Sequence, residues 1–264
     1  MNILKIFYKF YLAVIKGSRI VRDSDLKRSV CNVKTYNPGT GFFIEFQKPI
    51  KGLMTNNHVL NEKFIKNEES FEIYIENNNQ KEKYKIKIKN DKFIFTSKLI
   101  DVTFIQLSDD EIEQINPFFL EPGHSECYKN QPIFIYQYPK NNSNEQQLEK
   151  ALGEIIDIDG FNCYHSVSTE HGSSGSPLLN KESKVIGIHK GSVKSCSEIY
   201  KKLAEKHRIN SPSEIYDELV DKHRHFFPEN KSINYATSIN VIEYAIYLFN
   251  NNKNISKNIN ILMI

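Results

Sequence analysis

Short apolar and alternating segments follow one another from about residue 28 to residue 190, and they constrain the fold more than any other feature. They include GFFIEF (41–46), FEIYIE (71–76), KYKIKIK (83–89), KFIFTS (92–97), VTFIQL (102–107), PIFIYQY (132–138), LGEIIDI (152–158), NCYHSVS (162–168), SPLL (176–179) and KVIGIH (184–189). The strict alternation of residues 83–89 indicates a strand with one face in water. Many short strands separated by turn signals are typical of an all-β barrel or sandwich. The segments up to residue 107 and those from residue 132 onward form two groups, and residues 111–126 between them are interpreted as a linker.

Residues 195–227 break the strand pattern and contain a repeat. SCSEIYKKLAEKHR (195–208) is followed by SPSEIYDELVDKHR (211–224). Each copy opens with a capping-box pattern, a serine followed three residues later by a glutamate. The repeat therefore predicts a helical insert of two short helices. A strand at 233–239 and a C-terminal helix at 241–251 are expected to follow it.

The two ends of the chain are predicted separately from this body. Residues 1–27 contain early lysines and an apolar stretch, as a secretory signal would. Lys9 interrupts the stretch and no small-residue cleavage site follows, which favours a helical N-terminal segment. Residues 252–264 are rich in Asn and Lys and are expected to form a frayed tail. The predicted compartment is cytoplasmic, with secretion as the alternative.

Charge and cysteine content exclude several classes of function. A net charge of +3 on 264 residues, with acids and bases interspersed, argues against a nucleic-acid partner. No run approaches the roughly 18–20 apolar residues of a membrane span. The four cysteines, Cys31, Cys127, Cys163 and Cys196, form no C-x-x-C pair, so we expect free thiols and neither a metal nor a cofactor.

The segment TEHGSSGSPLLN (169–180) places three serines among two glycines ahead of an apolar run. It is either a polar turn between strands or a loop that presents a serine for chemistry. A serine hydroxyl is a weak nucleophile unless a base, usually His, removes its proton. Glycines allow a tight turn whose N–H groups can stabilise an oxyanion.

Suitable partners for a serine nucleophile occur upstream. His58 lies in TNNHVL (55–60), directly after an apolar strand, and Asp101 stands at the head of the buried strand VTFIQL. The chain order His, Asp, Ser differs from that of α/β-hydrolases, in which the serine comes first. A G-x-S-x-G elbow is also missing, because Ser176 occupies the position of its last glycine.

Taken together, GTGFFIEF, TNNHVL, DVTFIQL, GSSGSPLLN and KVIGIHKG resemble the chymotrypsin-like, or trypsin-like, serine peptidases. Within them the chain is most similar to bacterial glutamyl endopeptidases without disulfides. The resemblance implies an all-β fold of two perpendicular six-stranded antiparallel β-barrels, here with the helical insert and the C-terminal helix. The first barrel would span residues 28–115 and the second residues 116–251.

The resemblance also implies a role for each residue of the site. His58 would be the general base, Asp101 would orient it, and Ser174 would be the nucleophile of an endopeptidase that works through an acyl-enzyme. The N–H groups of Gly172 and Ser174 would form the oxyanion hole. The implied partner is a peptide or protein substrate.

Specificity is predicted from two further positions of the same family. Thr169 and His189 match residues that bind a Glu carboxylate in glutamyl endopeptidases, and Gly191 would pair with the substrate backbone. Those enzymes also use a processed N-terminal amine near the pocket, and the sequence shows no such terminus. Other histidines, including His165, are interpreted as structural or surface residues.

Two alternatives remain open. The chain could be a catalytically silent binding module with a peptidase fold, although a complete triad argues against this. The insert 195–227 is either a surface element without a role, or a lid or protein-docking element at the rim of the substrate pocket.

Overall fold

A computed structural model describes residues 21–46, 50–77, 80–88, 92–123, 127–140, 146–193, 233–251 and 261–263. Its helices are α1 (Asp23–Lys27), α2 (Glu62–Asn67), α3 (Asp109–Ile115) and α4 (Ile239–Asn251). The predicted insert 195–227 and residues 1–20 lie outside the described residues, so the predictions for them stay predictions. Within the described ranges, no helix is both long enough and apolar enough to cross a bilayer.

The first sheet contains eight strands. They are β1 (Val30–Lys34), β2 (Gly39–Phe46), β3 (Ile50–Thr55), β4 (Ser70–Asn77), β5 (Gln80–Lys87), β6 (Ile94–Ser97), β7 (Val102–Gln106) and β14 (Ile261–Met263). Their order is β14-β6-β7-β3-β2-β1-β4-β5. Neighbours pair antiparallel except β14, which runs parallel to β6 within the segment predicted as a frayed tail.

The second sheet closes into a six-stranded barrel. Its strands are β8 (Pro132–Gln137), β9 (Glu149–Asp159), β10 (Asn162–His165), β11 (Pro177–Leu179), β12 (Val185–Val193) and β13 (Ile233–Ser238). The barrel order is β10-β13-β12-β11-β8-β9. The predicted all-β two-barrel class is confirmed, although the first sheet has eight strands where six were expected. The domain limits stay a prediction.

Strand β2 shows why the first sheet has two dry faces. Phe42 and Ile44 point into a core that is shared with the second barrel and α4, whereas Phe43 points into the core of the first sheet. A strand that is covered on both faces reads as a continuous apolar run, as GFFIEF does. In β5, by contrast, only Ile86 is fully buried, which agrees with the wet face predicted from its alternation.

Helix α3 was missed by the interpretation of residues 111–126 as a linker. Ser108 caps this helix by accepting from the Glu111 N–H, and the Glu111 side chain accepts from the Ser108 N–H in return. The Glu111 carboxylate is buried against Lys92. Burial alone would raise the pKa of Glu111, but hydrogen bonds from Lys92 and from two backbone N–H groups outweigh it and lower that pKa.

Candidate active site

His58 and Asp101 come from two turns of the first sheet. His58 follows the end of β3, and Asp101 is the last residue before β7. Asp101 has φ of +54°, in the left-handed region that Asp tolerates better than most residues. Because β3 and β7 are antiparallel neighbours, the turn after β3 and the turn before β7 lie at the same end of these strands, and the two side chains meet there.

Both carboxylate oxygens of Asp101 contact His58. The backbone N–H of His58 donates to Oδ1 at 2.9 Å, and Nδ1 of its ring lies 2.7 Å from Oδ2. An ionised carboxylate only accepts, so this contact puts the ring proton on Nδ1. In the neutral ring Nε2 is then unprotonated, which is the form that can accept a proton from a serine.

Asn56 fixes the backbone that carries Asp101. Its side-chain amide donates to the Asp101 carbonyl at 2.9 Å, and its own carbonyl accepts from the N–H groups of Val59 and Leu60. Asn56 is fully buried. It therefore joins the turn that holds His58 to the turn that holds Asp101, and sequence reasoning did not assign it this role.

The serine loop requires glycine at two positions. Gly172 has φ of +93° and Gly175 has φ of +89°, values that side chains other than hydrogen rarely allow. A Cβ at Gly172 would lie 2.5 Å from the Tyr138 carbonyl oxygen, and one at Gly175 would lie 2.0 Å from the Thr40 carbonyl oxygen. The loop is therefore packed closely against the rest of the site.

Two N–H groups of this loop are aimed by the carbonyls of their own peptide planes. The His171 carbonyl accepts from the Lys140 N–H at 2.5 Å, and the Ser173 carbonyl accepts from the Ser176 N–H at 3.1 Å and hydroxyl at 2.7 Å. In a trans peptide the N–H points opposite to the carbonyl. The N–H groups of Gly172 and Ser174 therefore point away from these anchors, and within the described residues they donate to no protein group.

Thr40, at the start of β2, ties the serine loop to the first sheet. Its N–H donates to the Ser174 carbonyl at 2.8 Å, and its hydroxyl donates to the Gly172 carbonyl at 2.7 Å. The same hydroxyl accepts from the Tyr138 N–H at 3.0 Å. Three hydrogen bonds from one residue thus set the position of Ser174 relative to the sheet that carries His58 and Asp101.

Ser174 is half-buried, and its hydroxyl donates to the Lys190 carbonyl at 3.2 Å. Among the described residues no hydrogen bond joins this hydroxyl to the His58 ring. In enzymes without substrate such contacts are often long or badly aligned.

The two residues predicted to select a substrate side chain are already engaged. The Thr169 hydroxyl donates to Asn234 Oδ1 at 2.6 Å, and Asn234 Nδ2 donates to the Val167 carbonyl at 2.6 Å. His189 is buried, with its Nδ1 3.2 Å from Nε2 of His165. His165 was interpreted as structural or surface, and it is fully buried beside the predicted pocket residue.

Burial keeps this histidine pair neutral. Desolvation lowers the pKa of His165 to about 3. Desolvation, with smaller repulsion from His165 and His58, holds the pKa of His189 well below its usual value. Nδ1 of His165 is buried and has no hydrogen-bond partner in the part of the chain that the structure describes.

Gly191 lies on a stretch of β12 that has one edge unpaired with any strand among the described residues. Strand β11 pairs only with residues 185–188 of β12, while β13 covers the other edge through residue 193. The pairing of β12 with β13 is irregular between His189 and Gly191. An extended peptide could therefore add to β12 beside Gly191.

The described residues contain no cluster of three His, Cys, Asp or Glu side chains able to hold a metal ion. Cys31, Cys127 and Cys163 are free thiols, and Cys196 lies outside the described residues.

The sequence model of a protein family, the trypsin-like peptidase domain, matches residues 39–188, which are more than half of the chain. The chain belongs to the trypsin-like peptidase family. It is accordingly a serine endopeptidase, a hydrolase of peptide bonds. The matched region contains His58, Asp101 and Ser174, and it ends one residue before His189.

One of two similar solved structures, with a TM-score above 0.5, supports the fold of this trypsin-like peptidase. A serine endoprotease from Yersinia pestis is 15% identical over 87% of this chain and 67% of its own, with a TM-score of 0.53. A serine protease from a human pathogenic astrovirus is 20% identical over 62% of this chain and 83% of its own, with a TM-score of 0.45. At these identities the likeness concerns the fold alone. Neither supports the predicted glutamyl endopeptidase subtype.

Proposed function

We propose that Ser174 is the nucleophile of this endopeptidase, with His58 as the general base and Asp101 as the residue that orients it. The observation that carries the proposal is the double contact of Asp101 with His58, which leaves Nε2 unprotonated. The loop that bears Ser174 presents two N–H groups that find no acceptor among the described residues. These are the parts that acyl transfer by a serine requires.

The reaction would proceed in two halves. Ser174 Oγ leaves the Lys190 carbonyl, attacks the substrate carbonyl carbon and gives its proton to His58 Nε2. The N–H groups of Gly172 and Ser174 donate to the resulting oxyanion. His58 then protonates the leaving amine, which departs and leaves the acyl group on Ser174. Water, deprotonated by His58, hydrolyses the ester and restores the serine.

We further propose that the enzyme prefers to cleave after Glu. If His165 Nε2–H donates to His189 Nδ1, only a bare acceptor at His165 Nδ1 stays unpaired, whereas the reverse tautomers would bury an unpaired N–H. Orphaned buried N–H groups are the rarer case. The favoured tautomers leave His189 with an Nε2–H that can donate to a carboxylate.

Thr169 contributes to this pocket in a different way from that first expected. Its hydroxyl proton is held by Asn234, so it donates to a substrate only after turning away from that amide. We therefore assign the main donor role to His189, while Thr169 and Asn234 form the wall. Gly191 would hold the substrate backbone along the open edge of β12.

Labelling with a fluorophosphonate probe tests the nucleophile. Wild-type protein should be labelled, and both Ser174→Ala and His58→Ala should lose the label. Ser166→Ala is the matched control, because Ser166 is exposed and bonded only to Glu154 in the described residues. A folded wild-type protein that takes no label would instead favour a silent binding module.

Cleavage of peptides that differ only at the residue before the scissile bond tests the specificity. A charge-assisted hydrogen bond exceeds a neutral one by about 1–1.5 kcal/mol, so Glu should exceed Gln by about ten-fold in kcat/KM. Equal cleavage after Glu, Lys and Leu would contradict the preference.

Deletion of residues 195–227 tests the insert, which we propose to be a lid or docking element that limits access of large substrates. Intact-mass analysis of the N-terminus tests the proposed cytoplasmic location against secretion.

A further inference from the structure

A cavity of about 840 Å³ opens beside His58, on the first sheet. One wall is the helix α2, which bears Lys63 and Lys66. The opposite wall is the end of β6 with Lys98 just beyond it. His58 is one of the lining residues, so whatever occupies this cavity lies next to the residue proposed as the general base.

Hydrogen bonds hold the walls of this cavity in place. Asn37 Nδ2 donates to the His58 carbonyl at 3.2 Å, which fixes the loop before β2. Asn57 Nδ2 donates to Thr96 Oγ1 at 2.7 Å, which joins the turn of His58 to β6. Asn61 caps α2 by accepting from the Phe64 N–H at 2.9 Å. The cavity is therefore formed before any ligand arrives.

The lining has an excess of positive charge. It contains three lysines and one acid, Glu62, which is paired with Lys66 at 2.9 Å. Lys63 and Lys98 are exposed and make no ion pair with any described residue. Two lysines without an ion-pair partner among the described residues thus line a cavity whose other polar residues are mainly asparagines.

The path of a substrate brings particular side chains to this place. In an extended peptide, successive side chains point to opposite faces. If the side chain of the P1 residue, which supplies the attacked carbonyl, enters the pocket of His189, those of its neighbours P2 and P1′ point the other way. Since His189 belongs to the second barrel, we take the other direction to lead toward the first sheet, which carries His58 and the cavity.

We propose that this cavity is a subsite for a second acidic side chain of the substrate, at P2 or P1′, bound by Lys63 and Lys98. The inference rests on the proposed function, because it uses the same cleft and the same orientation of substrate. It assigns to the enzyme a preference for paired acidic residues at the cleaved bond. Two ammonium groups complement one carboxylate, and the walls need not rearrange to receive it.

Binding to the inactive Ser174→Ala protein tests the subsite without requiring turnover. Fluorescent peptides with Glu at P1 would carry Glu or Gln at P2 or at P1′, and anisotropy would give Kd. Exposed ion pairs are weak, so each lysine should contribute about two- to five-fold to the preference for Glu over Gln. The preference should shrink in about 0.5 M salt, because exposed charges are screened.

Single Lys63→Gln and Lys98→Gln variants should each reduce the ratio, and the double variant should bring it close to one. Lys181→Gln is the matched control, because this substitution removes the same charge from an exposed residue outside the cavity. A ratio of one at both positions in the parent protein overturns the subsite. An unchanged ratio in the double variant overturns the assignment to this cavity.

These outcomes separate from failure of the proposed function. Fluorophosphonate labelling of wild type together with equal binding of Glu and Gln peptides would refute the subsite and leave the nucleophile assignment standing. An unlabelled but folded wild type that still prefers the acidic peptide would refute the nucleophile and leave the subsite standing.

Discussion

Replacing Asp101 by Asn probes the geometry on which the proposed mechanism depends. The substitution keeps the shape of the side chain but exchanges one acceptor oxygen for a donor NH₂ group. In the native protein both oxygens accept, one from the His58 backbone N–H and the other from Nδ1 of its ring. The asparagine can satisfy only one of these two donors.

The backbone N–H decides which way the amide turns. It cannot change its role, so the asparagine oxygen should stay with it and the NH₂ group should face the ring. Nδ1 of His58 must then be the acceptor, and the ring proton moves to Nε2. A base that already carries its proton cannot take one from Ser174. In serine peptidases a wrong tautomer of this kind costs about 10⁴ in kcat, or about 5 kcal/mol of activation free energy.

The assay compares kcat/KM on a Glu peptide and the second-order rate of fluorophosphonate labelling. Both should fall by about 10⁴ in Asp101→Asn, while the thermal midpoint stays close to that of wild type. Asp159→Asn, at the exposed end of β9, controls for the loss of one negative charge. Activity within ten-fold of wild type in a folded Asp101→Asn protein would refute the tautomer argument.

Three further perturbations address the frame of the site. Thr40→Val removes the hydroxyl that bridges the Gly172 carbonyl and the Tyr138 N–H, so the free energy of unfolding should fall by about 1–3 kcal/mol and labelling should slow. An unchanged denaturation curve would count against the bridge. Gly175→Ala should lower the free energy of unfolding by at least about 2 kcal/mol. Gly160→Ala, also at positive φ but with open space around it, should lower it less. Equal thermal midpoints of the two variants would contradict the close packing of Gly175. Burial lowers the pKa of His165 and His189, so below about pH 6.5 only the unfolded chain gains these protons. The free energy of unfolding should therefore drop by about 1.4 kcal/mol per pH unit for each histidine. Urea titrations at pH 7 and pH 5 should show a smaller drop in His165→Leu than in wild type.

Local patterns in the sequence were sufficient for the class of fold, and they also selected the three residues that we propose as the triad. Alternation and turn residues report which segments are strands, because each strand's pattern of burial is written in its own side chains. The chemical requirements of a serine nucleophile selected the segments of His58, Asp101 and Ser174 for the same reason. Both inferences depend only on residues that are close along the chain and on their order.

The groups that aim these side chains escaped the sequence because they are distant along the chain. Thr40 and Gly172 are 132 positions apart, and nothing in the segment around Thr40 indicates that its hydroxyl will meet the serine loop. Asn56 looked like an ordinary turn residue, yet it holds a carbonyl 45 positions away. Such contacts exist only once the two sheets have packed.

Environment was likewise decided by the tertiary structure. The residues next to His165 in the sequence do not distinguish it from a histidine on an exposed strand. Only closure of the barrel buries it against His189 and suppresses its charge. The cavity beside His58 is formed by α2 and the end of β6, two segments that the sequence pattern did not connect. The sequence by itself determined which chemical groups this peptidase has and in what order. Folding decided their distances, their protonation and the charge around them, since these depend on what packs across the chain.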